Sequence, residues 1–566
     1  MSIMVIIILA VTLFIAEGTE IISPVNIIPY LYIGLLAPYG FYILIKKKSI
    51  YFPMLPSIFF GLFLIFSFIS TIFYSVDKQI SFELTLFYIV SYLIFVFFYN
   101  NKDLGKKYIN LIIVVGSVIF TVIYLFNLVY SKIPFSGYQL VSSYLNNSHN
   151  HLGDFLGLGM VIFIYRLFNK KKERLSKWLV IFSPFFLLSF SRSAFLALIV
   201  VYLVILIKSK INRLFSFKLT FGLILIASTM IFFFSTVNEV KGKSLVGKFN
   251  QYLTDHFNLQ TKEFTAGRII YWKQGMTSFY QQPLFGVGPG NFGFLSKKYV
   301  SSDSQWYDFR STETAHSLLP EILFENGLLA FIFFTGFVIF LIVYIFKSNR
   351  LESYLLLYLL LNFQTDYAYR IYSMFVLFMI LAALVYEEKE SKINRSIIYS
   401  LFSVSLLVIV IGILTSRIFL KLNRPDLSLT FYHLNKEAYP QMIIQETAKK
   451  GCQKTEKLAK NYHYVSSGYL PTLQLLSNYY EACDNKKMAI YMLDKAVEDN
   501  RFINFGIVKK DYLLKKEVYG KDEGSVFLWQ ILRGYDRLKY VPTFRKQVSD
   551  FCRLNKEDTC RKMRWW

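Results

Sequence analysis

The chain has 566 residues, 54% hydrophobic and 18% aromatic with only 17% charged, and a mean hydropathy of +0.42. Soluble domains carry roughly a quarter charged residues, so this composition belongs to a membrane protein. The 62 Lys and Arg against 37 Asp and Glu leave a net charge of +25, which in a membrane chain reports orientation and not nucleic-acid binding. Ordinary contents of Gly (28) and Pro (14) exclude disordered and collagen-like classes.

Residues 1–45 contain no Lys or Arg. The apolar run 3–16 therefore lacks the positive n-region of a cleaved signal peptide and reads as a retained span. Further runs of the length a bilayer requires follow at 21–45, 50–73, 80–99, 109–130, 149–168, 178–191, 194–207, 219–237, 328–346, 352–364, 371–386 and 396–418. That predicts an all-α polytopic membrane protein of roughly thirteen transmembrane helices.

With residues 46–48 (Lys-Lys-Lys) placed in the cytosol, every inside connection carries several Lys or Arg. The short outside connections together hold only Lys78, Lys132, Arg192 and Arg370. A slip of one span would swap the two sides beyond it, so the asymmetry predicts a cytosolic N-terminus. It also predicts a membrane domain over 1–418 and two large outer polar segments, a loop over 238–315 and a tail over 419–566.

Within the membrane part, His149, Asn150, His151 and Asp154 form a polar cluster at a predicted helix mouth. His-x-His with a carboxylate can bind zinc, but no Cys or further His stands nearby, so polar lining is the better reading and no metal is expected. Arg192, in Ser191-Arg192-Ser193, occupies a very short outer turn, against the charge bias. It either snorkels to headgroups or holds an anion. Arg268, before Tyr271 and Trp272, lies in an apolar and aromatic stretch where a lone cation is costly. Paired guanidinium groups suit a phosphate or pyrophosphate, since each donates two parallel hydrogen bonds and stays charged.

Residues 286–292 (Gly-Val-Gly-Pro-Gly-Asn-Phe) lack the strand-to-helix setting of a nucleotide fold and read as a tight turn after Pro283. His316 follows at the predicted mouth of the membrane. Pro320 suits a helix start, and Asn326-Gly327 can stop a helix or bend it. Residues 364–370, a short outer turn containing Asp366, Tyr367 and Arg370, are dense in hydrogen-bonding groups and could close the same site from the opposite wall.

All four cysteines, Cys452, Cys483, Cys552 and Cys560, lie in the tail. Two disulfides in any of three pairings, or free thiols, are compatible with their spacing. Leu473, Leu476, Tyr480, Ala489, Leu493 and Ala496 fall at the offsets of one tetratricopeptide repeat. This predicts a helical, TPR-like tail, either a repeat array or a generic helical domain, able to bind a partner or position a substrate.

In order and placement, these motifs resemble the O-antigen ligases, O-antigen polymerases and pilin-type protein O-oligosaccharyltransferases. The resemblance runs over about 145–384: Ser191-Arg192-Ser193, Gly267-Arg268, the Pro283 to Phe292 stretch, and Ala315-His316-Ser317 leading into Glu325-Asn326-Gly327. It implies a GT-C-like bacterial inner-membrane glycosyltransferase that moves a glycan from undecaprenyl pyrophosphate to an acceptor hydroxyl outside the cytoplasmic membrane, without metal or other cofactor. It further implies that Arg192 and Arg268 bind the donor pyrophosphate and that His316 is catalytic. Asn150, Glu325, Asp366 and Tyr367 are candidate lining residues. Ser148 stands where oligosaccharyltransferases tend to have Gln, and Ala368-Tyr369 where they have Pro-Leu, so the subtype stays open. The expected partners are the bilayer, the lipid-linked glycan, a glycan or protein acceptor, and a protein bound through the tail. A flippase or exporter of lipid-linked glycans is the alternative, and an inactive scaffold a third. No internal repeat of the kind transporters carry is evident, and the ionisable candidates cluster at outer helix ends.

Overall fold

The computed structural model describes residues 28–46, 48–130, 149–170, 191–208, 268–299, 312–387, 396–499, 505–534, 542–554 and a few isolated positions. Among these the regular elements are all helical. Six helices are long and apolar enough to cross a membrane, which makes this a multi-pass membrane protein. The predicted spans 3–16, 178–191 and 219–237 lie wholly or largely outside the described residues, as does most of the loop 238–315.

The membrane part begins with α1 (Ile28–Ile45), α2 (Met54–Ile69), α3 (Lys78–Asn100) and α4 (Lys102–Tyr130). It continues with α5 (His149–Lys170) and α6 (Arg192–Lys208). Two further helices follow, α7 (Arg268–Gln281) and α8 (Phe292–Lys298). The chain then forms α9 (Leu318–Lys347), α10 (Leu351–Phe363), α11 (Tyr372–Val385) and α12 (Ser396–Lys421). Helix α12 shows the packing that lipid solvent imposes. Ile397, Ile398, Leu401 and Phe402 are exposed, whereas buried Ser400 donates to the Gly40 carbonyl of α1 at 2.7 Å. Without an apolar driving force between helices, small and polar residues make the contact and apolar ones face lipid.

Helices α10 and α11, 13 and 14 residues long, are about 20 Å each, short of the ~30 Å hydrocarbon core. They can be short because they are enclosed by protein. Every residue of α11 is buried, as are nearly all of α10, and α10 packs against α5, α6 and α9 while α11 packs against α3. The turn joining them is thereby delivered to the centre of the bundle.

The Asn326-Gly327 pair bends α9. Gly327 has φ 80 and ψ 178 inside an otherwise continuous helix. The bend orphans backbone groups, and the glycine turn after α7 satisfies them. The amides of Leu328 and Leu329 donate to the carbonyls of Pro283 and Leu284, and the Glu325 carbonyl accepts from Val287 and Gly288. The approach is close enough to require glycine on both sides. A Cβ on Gly286 would lie 2.3 Å from the Glu325 carbonyl oxygen, and one on Gly327 2.4 Å from that of Leu284; both residues have positive φ. The predicted turn is present, and it also acts as the socket for a kinked helix.

From Pro425 the tail is helical to Leu554 through its described residues. Helices Leu470–Ala482 and Lys486–Asp499 pack as a hairpin. Leu473, Leu476, Tyr480, Ala489, Leu493 and Ala496 are all buried there. Cys452 and Cys483 form a disulfide, Cys552 is also disulfide-bonded, and Cys560 lies outside the described residues. The tail docks on the mouth of the bundle. Asp77, which caps α3, receives Lys436 Nζ at 2.5 Å, and its backbone bridges to Ser466. Lys298 of α8 pairs with Asp499 at 2.8 Å.

Candidate active site

The centre of the site is the α10–α11 turn. Asp366, fully buried, is held by the Tyr367 amide (2.7 Å) and by Ser193 Oγ (3.2 Å). Ser193 follows Arg192, the first residue of α6, and Ser191 caps that helix by accepting the Ala194 amide at 3.3 Å. The positive end of α6 therefore faces Asp366.

His316 Nδ1 lies 3.9 Å from Asp366 Oδ1, close enough for attraction but beyond a hydrogen bond. Its ring stacks on Tyr271 (centroids 5.5 Å apart) and meets Tyr367 edge-on at 4.8 Å. A quarter of the side chain remains exposed, whereas Asp366 is inaccessible. A ligand can therefore reach the imidazole but not the carboxylate behind it. His316 also adopts φ 53, left-handed geometry that a non-glycine residue keeps only when its surroundings hold it.

Arg268 begins α7, one turn above Tyr271. Burial lowers the pKa of its guanidinium below the ordinary value, with Arg192 adding to the effect and Asp366 and Asp154 opposing it. The two arginines are thus electrostatic neighbours. The buried Arg268 Nε has no hydrogen-bond partner. Burial alone would raise the Asp366 carboxyl, but His316, His151 and Arg268 outweigh it and hold the group well below the usual carboxylate range. The base of the site is therefore an anion surrounded by cationic and protonatable groups.

Behind Tyr367 sits His151, its ring 4.6 Å from the tyrosine and its Nδ1 3.5 Å from Asp154. Asp154 accepts from Asn362 Nδ2 at 2.5 Å. The Asn150 side chain lies outside the described residues. Arg192, Arg268, His316, Asp366 and Tyr367 are thus brought together. Glu325 is engaged elsewhere: its carboxylate accepts the amides of Gly290 (2.8 Å) and Phe292 (2.9 Å) and pairs with Arg370 at 2.8 Å. It holds the glycine turn and does not reach the His316 ring. Among the described residues no cluster of three or more His, Cys, Asp or Glu is arranged to hold a metal ion.

Three residues of this region were given no role of their own from the sequence. Arg370 pairs with Glu321 as well as Glu325, Glu321 accepts the Ala315 amide at 2.6 Å, and Trp272 Nε1 donates to the Ala315 carbonyl at 3.1 Å. The available signal was charge: Glu321 and Glu325 lie four apart on one helix face, and Arg370, like Arg192, is a positive in a short connection that the charge bias predicts to be outer.

Residues 177–335 match a family model described as O-Antigen ligase, a span that includes Arg192, Arg268, His316 and Glu325. Comparison with curated proteins gives no match. The chain therefore carries a domain of the O-antigen ligase family, and through that domain it is a membrane enzyme of the glycosyltransferase type.

Proposed function

We propose that the protein transfers a glycan from undecaprenyl pyrophosphate to an acceptor hydroxyl on the outer side of the cytoplasmic membrane, in one inverting displacement without a metal. The observation that carries this reading is the meeting of Arg192, Arg268 and the accessible His316 around buried Asp366. In the proposed step His316 takes the acceptor proton, the acceptor oxygen bonds to the anomeric carbon, and the bond from that carbon to the pyrophosphate oxygen breaks. Negative charge grows on the departing pyrophosphate. Two fixed guanidinium groups at helix starts stabilise that charge more in the transition state than in the ground state. Asp366 in turn favours the imidazolium that forms.

The same reading makes the bundle one of roughly thirteen spans with a cytosolic N-terminus and an outer TPR-like tail over 419–566. It is supported by the docking of the tail, α7 and the glycine turn at one end of the bundle. The tail would present or select the acceptor, whether lipid A core, another repeat unit, a protein or a surface polymer.

The test is reconstitution. Purified protein in liposomes with lipid-linked glycan and candidate acceptors should form a new glycosidic bond and release undecaprenyl pyrophosphate. Movement of the glycan lipid between leaflets with no new bond would replace this reading with the flippase.

A further inference from the structure

His316 is held in a conformation it would not choose, and the holding groups can be named. The peptide before it is gripped on both sides by side chains. Ala315, fully buried, donates its N–H to Glu321 Oε2 at 2.6 Å and offers its carbonyl to Trp272 Nε1 at 3.1 Å. Glu321 is itself locked, since its other oxygen pairs with Arg370 and Tyr369 donates to Oε2 at 2.5 Å. Trp272 lies four residues after Arg268 on α7, and that helix is pressed onto α9, where a Cβ on Gly275 would come within 2.1 Å of the Phe324 ring.

We propose that Trp272 and Glu321 are positioning residues for His316, clamping the Ala315 peptide so that the strained imidazole stays at a set distance from Arg268, with Arg370 keeping Glu321 in place. The inference rests on the reading of His316 as the acceptor's base. Two features favour positioning over packing. The Trp272 side chain is partly exposed, so its indole N–H is the part of it anchored in the site. The charged Glu321 spends an oxygen on a backbone N–H next to His316, a strong charge-assisted bond that helix stability does not require at that place. Left-handed φ at a non-glycine residue survives only where such contacts over-determine it.

The experiment is a double-mutant cycle on the full-length reconstituted enzyme, reading single-turnover transfer, donor KM and melting temperature. Trp272→Phe, which removes the indole N–H together with the five-membered ring and keeps a six-membered aromatic ring, should lower the rate about tenfold, the scale of a misplaced catalytic group. Donor KM and melting temperature should not change. In a His316→Ala background the same substitution should change the residual rate by less than about twofold, because the group it positions is gone. Glu321→Gln, which leaves an acceptor for the Ala315 N–H but no charge for Arg370, is the second variant, and its rate loss should show the same dependence on His316. Equal losses in both backgrounds, a change confined to donor KM, or no loss would overturn the clamp. A His316→Ala enzyme with wild-type turnover would instead overturn the reading on which the clamp rests.

Discussion

Two charged regions lie side by side at the mouth of this bundle, built from similar residue types and differing in how fully their carboxylates are bonded and in whether the outside can reach the region. In the first, Arg370, Glu321 and Glu325 are each no more than 3% exposed. All four oxygens of the two carboxylates are used, by Arg370, Tyr369 and the amides of Ala315, Gly290 and Phe292. In the second, Arg192, Arg268, Asp366, Asp154 and two histidines gather around Tyr367. There Arg268 Nε, both His151 nitrogens and Asp154 Oδ2 lack hydrogen bonds, while His316 is open to the outside. Arg370 Nε and Nη1 also lack partners, so unmade bonds alone do not mark the site; what separates the two regions is that the scaffold's carboxylates are saturated and enclosed, whereas the second region opens on an accessible histidine.

The comparison can be broken most severely at the scaffold. Arg370→Met leaves two buried carboxylates without their cation and should destabilise the membrane domain by about 3–5 kcal/mol. That loss would appear as lower yield and melting temperature in detergent, with whatever enzyme remains binding donor normally. At the site the effect should divide the other way. Asp366→Asn should leave the melting temperature nearly unchanged but slow transfer about tenfold, since His316 loses an orienting anion.

The smallest effect lies in the tail, where an ionisable group is buried away from the candidate site. Burial, reinforced by Asp494 and opposed by Lys515, raises the Asp511 carboxyl to about 8. The folded tail therefore holds this proton more tightly than the unfolded chain. The protonated carboxyl's contribution to stability is complete at low pH and is lost as pH rises from about 4 towards 8. Asp511→Asn should melt like the wild type at about pH 5 and higher at about pH 8, by on the order of 1 kcal/mol, with transfer unaffected.

What the sequence made legible were residues that break a rule of their surroundings. Arg192 is positive in a short turn that the charge bias predicts to be free of positives, Arg268 is a cation in an apolar and aromatic stretch, and His316 stands where an apolar helix begins. The glycine turn was legible as a turn because Gly and Pro act locally. Its role as socket for the α9 bend was hidden, because that role depends on carbonyls and amides some forty residues downstream. Glu321 and Arg370 meet across 49 positions, and no local pattern announces such a pair. The same applies to the short spans: α10 and α11 cannot cross a bilayer alone, and only their neighbours make their length sufficient.

The most direct test of the account is the rate at which purified His316→Ala and Arg268→Ala enzymes transfer glycan from lipid-linked donor, measured beside their melting temperatures. The account predicts at least about a hundredfold loss for each, the scale of a removed proton acceptor or a removed transition-state charge, with melting unchanged. Wild-type turnover in either variant, or a loss accompanied by unfolding, would contradict the division between site and scaffold drawn above.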